Sequence, residues 1–333
     1  MRGVRFIAIE VGLRARIGFL PQGTSGPVGP YSGLVAKSSP ALTSETALQI
    51  AIDIEPKFSW SSRGARVLGP VGENATVFLP EQQLVLRTCA NDHKERASRE
   101  LALAHWLREH AVPAVRPAKG FSAPVLFQGW VITAWEFIPG IESGTTTTIA
   151  TALQQLHRLS APQGLALPEL DPFDGVSGYI EQAALENQEK AFLDARLNEL
   201  RDAYTRLRFA LPRGPVHGDA HRKNIVRDND GEPVVLDLER FSIGPREWDL
   251  IVAAVYERVG WYTTAEYEAF TSAYGWDIRT WSGFETLAAV RELRMTAWLC
   301  ARTNREPRLL PEARRRIASL KRPKEAKRWQ PGT

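Results

Sequence analysis

The sequence has few cysteines and no long apolar run, and each absence excludes a class of protein. Cys89 and Cys300 are the only two cysteines in 333 residues, too few for a disulfide framework or a thiolate metal cluster. No stretch of about 18 apolar residues occurs, so no segment is predicted to span a bilayer. Glu10, Arg14 and Arg16 interrupt the apolar start before a signal-peptide core could form. We therefore expect a soluble chain in the reducing, cytoplasmic compartment.

Several catalytic signatures are also missing from the sequence. It contains no G-x-x-x-x-G-K-[ST], no G-x-G-x-x-G after a strand, no H-E-x-x-H, no C-x-x-C pair and no G-x-S-x-G. These absences argue against P-loop nucleotidases, dinucleotide-binding enzymes, zinc peptidases and serine hydrolases with a nucleophile elbow.

The positive charge of the chain is concentrated near its C-terminal end. The total formal charge is +4 and the pI is about 9.1. Residues 314–328 alone carry +7, so the rest of the chain carries −3. A short basic segment with prolines is typical of a solvated tail. We therefore predict a basic tail over 313–333 and no nucleic-acid partner.

Length and patterning predict a bilobal chain. Twelve of the twenty residues from Pro21 to Pro40 are Pro, Gly or Ser, which predicts a disordered N-terminal extension over 1–42. The 44% of hydrophobic residues in the full chain can form more than one core, and single cores stop growing near about 250–300 residues. We therefore expect two lobes after the extension, at 43–138 and 139–312.

The two lobes are predicted to differ in secondary structure. Periodicity and turn residues predict in the first lobe a helix after Thr43 or Ser44, strands at 65–68, 75–79 and 83–87, a helix at 92–110, and strands at 112–116 and 130–137. The second lobe is predicted to be mostly helical, with helices at 147–160, 176–210, 246–259, 264–274 and 284–302 around a β-like stretch at 215–241. The predicted fold class is α+β.

The most specific motif lies in that β-like stretch. The segment VHGDAHRKNI covers residues 216–225, and PVVLDLERF follows at 233–241. His217, Asp219, Asn224 and Asp237 have the order of H-R-D-x-x-x-x-N and a following Asp-led motif, which serve phosphoryl transfer in protein kinases. Asp219 is the candidate base, and Asn224 and Asp237 offer the oxygen ligands that Mg²⁺ prefers. We expect His217 to support the loop, and Asp249 to tie a helix start to it.

The segments HGDAHRKN and LDLE resemble the aminoglycoside phosphotransferase / choline kinase-like family of small-molecule kinases. The resemblance covers roughly residues 60–300. It implies a bilobal protein-kinase-like fold, with an antiparallel-sheet N-lobe carrying one helix, a mostly helical C-lobe, and ATP between the lobes. It also implies that the chain is a phosphotransferase with an alcohol group as acceptor, using ATP and Mg²⁺.

The family resemblance assigns further residues to the nucleotide. GPVGENATVF at 69–78 resembles the nucleotide-positioning loop, which points to Gly72 and Asn74. WEFIPG at 135–140 resembles the hinge, where Glu136 C=O and Ile138 N–H would meet the adenine. The segment at 69–78, taken alone, fits an ordinary hairpin turn that binds no ligand equally well.

The chain departs from the family at one position. The family usually has a phosphate-steering Lys in its third strand, but this strand offers Arg87, with Glu100 as its helix partner. Because Arg and Lys are not interchangeable, the departure leaves open an alternative to an enzyme, namely an inactive nucleotide-binding pseudokinase or scaffold. Retention of Asp219, Asn224 and Asp237 together favours the enzyme.

The acceptor is predicted to be a small molecule. Seven residues separate Asp237 from Pro245, and no A-P-E motif follows, so the long activation segment of a protein kinase is missing. The acceptor's class stays open between an aminoglycoside-type antibiotic and a metabolite. Aromatic residues after Ala253 are candidates for core or for an acceptor wall: Tyr256, Trp261, Tyr262, Tyr267, Phe270 and Trp276.

Overall fold

The computed structural model describes residues 42–323 and 325–332. Residues 1–41 of the predicted N-terminal extension lie outside the described residues. The chain divides into two compact units, an N-terminal unit that ends at residue 138 and a C-terminal unit formed by 106–114 with 139–333. Across the part that is described, no helix is both long and apolar enough to cross a membrane.

The N-terminal unit is an antiparallel five-stranded sheet with helices. Its elements are, in chain order, α1 (Ser44–Ile54), β1 (Arg66–Val67), β2 (Asn74–Leu79), β3 (Leu84–Ala90), α2 (Lys94–Glu109, of which 106–109 belong to the C-terminal unit), β4 (Val125–Phe127) and β5 (Trp130–Glu136). The strands lie in the order β1-β2-β3-β5-β4. Thr76 and Arg87 are partners in the β2–β3 register, and Arg87 faces Thr133 across β3 and β5. This register fixes Arg87 in the middle of the sheet.

Helix α1 adds a second helix to this unit. Thr43 Oγ1 accepts a hydrogen bond from Thr46 N–H at 3.0 Å, so the helix begins at the predicted cap. Ile50 and Ile54 are buried in one apolar cluster with Val77 of β2. Burying aliphatic side chains of this size stabilises the unit by about 1.5–3 kcal/mol each.

One predicted strand of the N-terminal half is wrong. Residues 112–116 form no strand, and the fourth strand is β4 (Val125–Phe127). Pro113 has no N–H to donate to a ladder, and only its carbonyl is paired, with Val235 N–H at 2.9 Å. Ala114 and Pro117 make only isolated bridges. The apolar pattern at 112–116 therefore belongs to a connection in which Val112 is buried and Arg116 is exposed.

The C-terminal unit is mostly helical and contains two small sheets. Its elements are β6 (Glu142–Ser143), α3 (Thr146–His157), α4 (Val176–Gln182), α5 (Asn187–Thr205), β7 (Arg213–Val216), β8 (Ile225–Arg227), β9 (Pro233–Val235), β10 (Ser242–Pro245), α6 (Glu247–Arg258), α7 (Thr264–Tyr274), α8 (Phe284–Arg302) and α9 (Leu310–Lys321). Strand β7 pairs with β10, and β8 lies between β6 and β9. The predicted β-like stretch thus supplies three short strands.

The helix predicted over 176–210 is two helices. Helix α4 ends at Gln182, and Ala183 is extended with a ψ of 141°. Glu186 then begins α5, because its side chain and that of Glu189 form a reciprocal capping box. Apolar periodicity alone predicted one helix here, but the capping box of Glu186 and Glu189 starts a second one.

The prediction of a solvated basic tail over 313–333 is wrong for the residues described. Helix α9 includes residues 313–321, and Lys327 and Trp329 beyond it are 6% and 3% exposed. Lys327 Nζ lies 2.5 Å from Glu292 Oε2 of α8. Trp329 N–H donates to Val259 O at 3.1 Å. Charge composition could not reveal these buried partners.

Candidate active site

The segment HGDAHRKN forms a loop at residues 217–224, here called the HGD loop, between β7 and β8. Gly218 has a φ of +84°, which favours glycine. A Cβ atom at this position would lie 2.6 Å from Arg240 O. The loop therefore requires glycine beside Asp219 on both conformational and steric grounds.

Asp219 is held in a buried ion pair. The residue is 7% exposed, and its Oδ1 accepts a hydrogen bond from Arg291 Nη2 of α8 at 2.7 Å. His221 Nε2 lies 3.9 Å from the other oxygen, Oδ2. Burial alone would lower the pKa of the Arg291 guanidinium, but Asp219 and Tyr256 raise that pKa above its usual value. The guanidinium thus stays charged beside Asp219.

Asn224 links the HGD loop to the segment that follows β9. Its Nδ2 donates to Asp219 O at 3.0 Å, and its backbone carbonyl accepts from Leu236 N–H at 2.7 Å. Asp237 comes next and adopts the left-handed conformation, with φ 52° and ψ 69°. Such a conformation is uncommon outside glycine and often marks functional sites.

The residues Asn224 and Asp237 fit a magnesium ion that is completed by phosphates and water. Because the amide nitrogen of Asn224 donates to Asp219 O, its Oδ1 is the amide atom suited to a cation. One or two protein oxygen ligands are the usual protein share of a magnesium–nucleotide site. Among residues 42–323 and 325–332, no group of three or more His, Cys, Asp or Glu side chains could hold a metal by itself.

Asp249 anchors the HGD loop from the first turn of α6, as predicted. Its two carboxylate oxygens accept the N–H groups of His217 and Gly218, each at 2.8 Å. His157 of α3 lies 3.0 Å from the same carboxylate. His217 Nε2 lies 3.0 Å from Leu236 O, and its Nδ1 accepts from Asp219 N–H at 3.2 Å. The expected supporting role of His217 is confirmed.

The predicted pair of Arg87 and Glu100 is present in the N-terminal unit. Arg87 Nη1 lies 2.6 Å from Glu100 Oε2, with side-chain exposures of 21% and 6%. Arg96 is a second cation beside this carboxylate, with its Nε 3.9 Å from Glu100 Oε1. Arg96 also lies 3.6 Å from Glu73, which follows Gly72 in the turn before β2. Arg87 is thus one member of a network of charges.

The other four residues predicted to contact the nucleotide lie at two places in the same sheet, namely the turn before β2 and the end of β5. Gly72 N–H donates to Asn74 O at 3.1 Å, which closes the turn before β2. Glu136 is the last residue of β5, and Phe137 N–H donates to Gln83 O at 2.8 Å. Ile138 is therefore the first residue beyond this pairing. No nucleotide contact of these four residues has been tested, so their role stays a prediction.

Sequence reasoning missed Arg291, although the sequence carries a signal for it. Arg291 lies four residues after Leu287 and four before Met295, which are both apolar and buried in α8. A charged residue on the buried face of a helix calls for a partner. The sequence could not show that the partner is Asp219, because the two are 72 residues apart.

Five of the six aromatic candidates divide between the core and the neighbourhood of the HGD loop, and the sixth, Trp276, is half-buried. Tyr262, Tyr267 and Phe270 are buried in the C-terminal unit. Tyr256 stacks on His221 of the HGD loop at a centroid distance of 6.3 Å, and Trp261 packs edge-on against Tyr256 at 4.7 Å. Tyr256 is therefore the candidate that lies against the loop.

Comparisons with solved structures show the fold of small-molecule kinases. An amicoumacin kinase in complex with AMP-PNP, Ca²⁺ and Ami matches with 13% identity and a TM-score of 0.66, covering 86% of this chain and 97% of that one. A microcompartment-associated aminopropanol kinase matches with 20% identity and a TM-score of 0.64, over 83% and 97%. Choline kinase from Streptococcus pneumoniae has 16% identity and a TM-score of 0.55, over 83% and 100%. The predicted α+β, protein-kinase-like fold is confirmed.

The family comparison agrees with the motif. A sequence comparison with curated proteins finds no match. A family model described as "Phosphotransferase enzyme family" matches residues 66–293, which is more than half of the chain and includes the whole HGD loop and Asp237. The resemblance predicted from HGDAHRKN and LDLE is confirmed, and the chain belongs to the phosphotransferase enzyme family.

Proposed function

We propose that the chain transfers the γ-phosphoryl group of ATP to a hydroxyl group of a small-molecule acceptor. The observation that carries the proposal is the HGD loop, where a buried carboxylate and a buried amide lie on one tightly bonded turn. Asp219 and Asn224 are joined by a hydrogen bond, and Leu236 N–H ties the residue before Asp237 to the same turn. Three oxygen-bearing side chains in this order suit phosphoryl transfer.

Each side chain has a distinct proposed role. Asp219 accepts the hydrogen bond of the acceptor hydroxyl and orients its oxygen. Asn224 and Asp237 hold Mg²⁺, which when bound neutralises phosphate charge. Arg87, held by Glu100, supplies positive charge for the nucleotide phosphates. Gly72, Asn74, Glu136 and Ile138 contact the nucleotide by analogy with the family.

The acceptor is proposed to be a small molecule because the chain offers no long segment after Asp237. Strand β10 begins at Ser242, and α6 begins at Glu247. Spectinomycin phosphotransferase, aminopropanol kinase and choline kinase are among the similar folds. Their acceptors, together with amicoumacin, form a rational first panel. The alternative of an inactive module was motivated by Arg87, and no observation now favours it.

The test is an assay for acceptor-dependent ADP release with MgATP over this panel. We expect release with at least one acceptor, its loss with excess EDTA, and a fall in kcat of at least about 10²-fold in Asp219→Asn, the range for a positioned base. Asp230→Asn is the matched control, because Asp230 is an exposed residue of the β8–β9 turn. Wild-type activity in Asp219→Asn would refute the assigned role.

A further inference from the structure

The buried ion pair between Asp219 and Arg291 is poorly suited to a purely stabilising role. Arg291 is 2% exposed, and its Nη2 donates to Asp219 Oδ1 at 2.7 Å. The Nε and Nη1 atoms of the same guanidinium are buried and make no hydrogen bond within the described residues. Burying a charge with unsatisfied donors disfavours folding. An apolar side chain here would be expected to stabilise the fold at least as well.

Arg294 shows what a structural arginine looks like on the same helix. It lies three residues further along α8, is 4% exposed, and donates to the carbonyls of Pro172 and Asp174 at 2.9 and 2.8 Å. These bonds tie α8 to the loop before α4. Arg291 instead directs its bond at the proposed base.

The geometry distinguishes the two oxygens of Asp219. Arg291 donates to Oδ1, while His221 Nε2 lies 3.9 Å from Oδ2. Tyr256 of α6 also faces the guanidinium and raises its pKa, although burial alone would lower it. The ring of Trp248 lies 5.9 Å from the guanidinium carbon. These neighbours keep the cation in place.

We propose that Arg291 is a positioning residue for Asp219, which binds Oδ1 and thereby presents Oδ2 to the acceptor hydroxyl. The inference rests on the proposed function. In the reaction the hydroxyl proton passes to Oδ2, a bond forms between the acceptor oxygen and the γ-phosphorus, and the bond from that phosphorus to the β–γ bridging oxygen breaks to leave ADP. Arg291 gains and loses no proton. It fixes the rotamer of the buried carboxylate.

The experiment compares Arg291→Met and Arg291→Lys with Arg294→Met and Arg294→Lys. Rates of ADP release are measured at a fixed pH with varied MgATP, both without acceptor and with the acceptor that the panel identifies. In Arg291→Met we expect kcat to fall about 30–100-fold and KM for MgATP to change less than about 2-fold, because the carboxylate loses the contact that fixes its rotamer while the nucleotide contacts stay.

The conservative substitution separates positioning from packing. In Arg291→Lys we expect kcat to fall only about 3–10-fold, because the charge stays while the planar fork is lost. Both Arg294 variants should keep kcat and KM for MgATP within about 2-fold of wild type, whatever their melting temperature. If Arg291→Met does not fold, Arg291→Lys against Arg294→Lys decides: equal kcat values overturn the proposal. A folded Arg291→Met with wild-type kcat also overturns it.

Failure of the proposed function would look different. In that case the wild-type chain releases no ADP with any acceptor or with water, and the kinetic comparison has no signal. Melting temperatures of Asp219→Asn, Arg291→Met and the double variant then test the pair itself. If the two residues are coupled, the melting temperature of the double variant should fall by much less than the sum of the decreases in the two single variants. A decrease equal to that sum would overturn the pairing.

Discussion

Each of the two units contains an ion pair to which we assign a role in the proposed function, and the two pairs are built differently. In the N-terminal unit Arg87 is 21% exposed at its side chain, and Arg96 is a second cation near the shared Glu100. In the C-terminal unit Arg291 and Asp219 are 3% and 9% exposed at their side chains. Partly exposed pairs with alternative partners contribute little to stability, whereas a buried pair resists the loss of either member. From this comparison we expect function and stability to be separable at Arg87 and linked at Asp219.

The largest expected effect is a loss of stability on replacing the proposed base. Asp219→Asn leaves the guanidinium of Arg291 buried without its carboxylate, so we expect the free energy of unfolding to fall by about 3–5 kcal/mol, the scale for breaking a buried pair. Urea unfolding of Asp219→Asn beside Asp230→Asn measures the difference. Adding Arg291→Met should restore part of the loss. If Asp219→Asn is as stable as the control, the buried pair does not contribute to the free energy of unfolding, and the contrast between the two units is wrong.

An intermediate effect is expected at Arg87, and it should appear in nucleotide use. Removing the cation in Arg87→Ala should lower kcat/KM for ATP. The loss should correspond to about 1.5–3 kcal/mol of activation free energy, the scale of a charge-assisted hydrogen bond. Arg87→Lys should keep part of the activity. The free energy of unfolding should change by less than about 1 kcal/mol, because the pair is partly exposed and Arg96 stays near Glu100.

Steady-state kinetics with varied ATP, together with urea unfolding, checks this prediction. Arg96→Ala is the matched control, since it removes the other cation beside Glu100. A normal kcat/KM for ATP in Arg87→Ala would place the phosphate-binding cation elsewhere. A large loss of stability in the same variant would contradict the contrast between the two units.

The smallest effect concerns the two thiols, one in each unit. Burial raises the pKa of Cys89 to about 11 and the pKa of Cys300 to about 12. Because the thiolate is the reactive form, we expect iodoacetamide at pH 8 to modify neither cysteine of the folded chain and to leave activity unchanged. With rising urea, Cys89 should react first, because the smaller unit has the smaller core. Mass spectrometry of the two peptides measures both rates, and simultaneous labelling would show that the units unfold together.

The sequence predicted local features well where one pattern had one physical cause. The helices 264–274 and 284–302 were predicted with the bounds of α7 and α8; apolar periodicity marks both, and the capping box at Thr263 and Gly275 bound α7. Arg87 and Glu100 were paired through the family resemblance, and the contact is present. The strand prediction at 112–116 failed because Pro113 has no N–H to donate to a ladder.

What the sequence could not supply is long-range pairing between charges. Arg291 approaches Asp219, and Lys327 approaches Glu292, each from a separate part of the chain. From charge composition alone, such residues are expected at the surface. The cluster of Lys and Arg near the C-terminal end was therefore predicted to be a solvated tail. Only the packing of α8 shows that two adjacent positions, 291 and 292, have buried partners of opposite sign.

The pairing of Lys327 with Glu292 also has a consequence for biosynthesis. All strands of the N-terminal unit have been translated once residue 136 is made, so this unit can collapse while the ribosome continues. The C-terminal unit cannot pair Glu292 with Lys327, or place Trp329 on Val259, until residues 327–329 have left the ribosome. Until then Arg258, whose Nη1 lies 3.6 Å from Glu292 Oε1 in the folded chain, is a cation available to this carboxylate. The unit that holds the HGD loop is therefore completed only after residues 327–329 have been made.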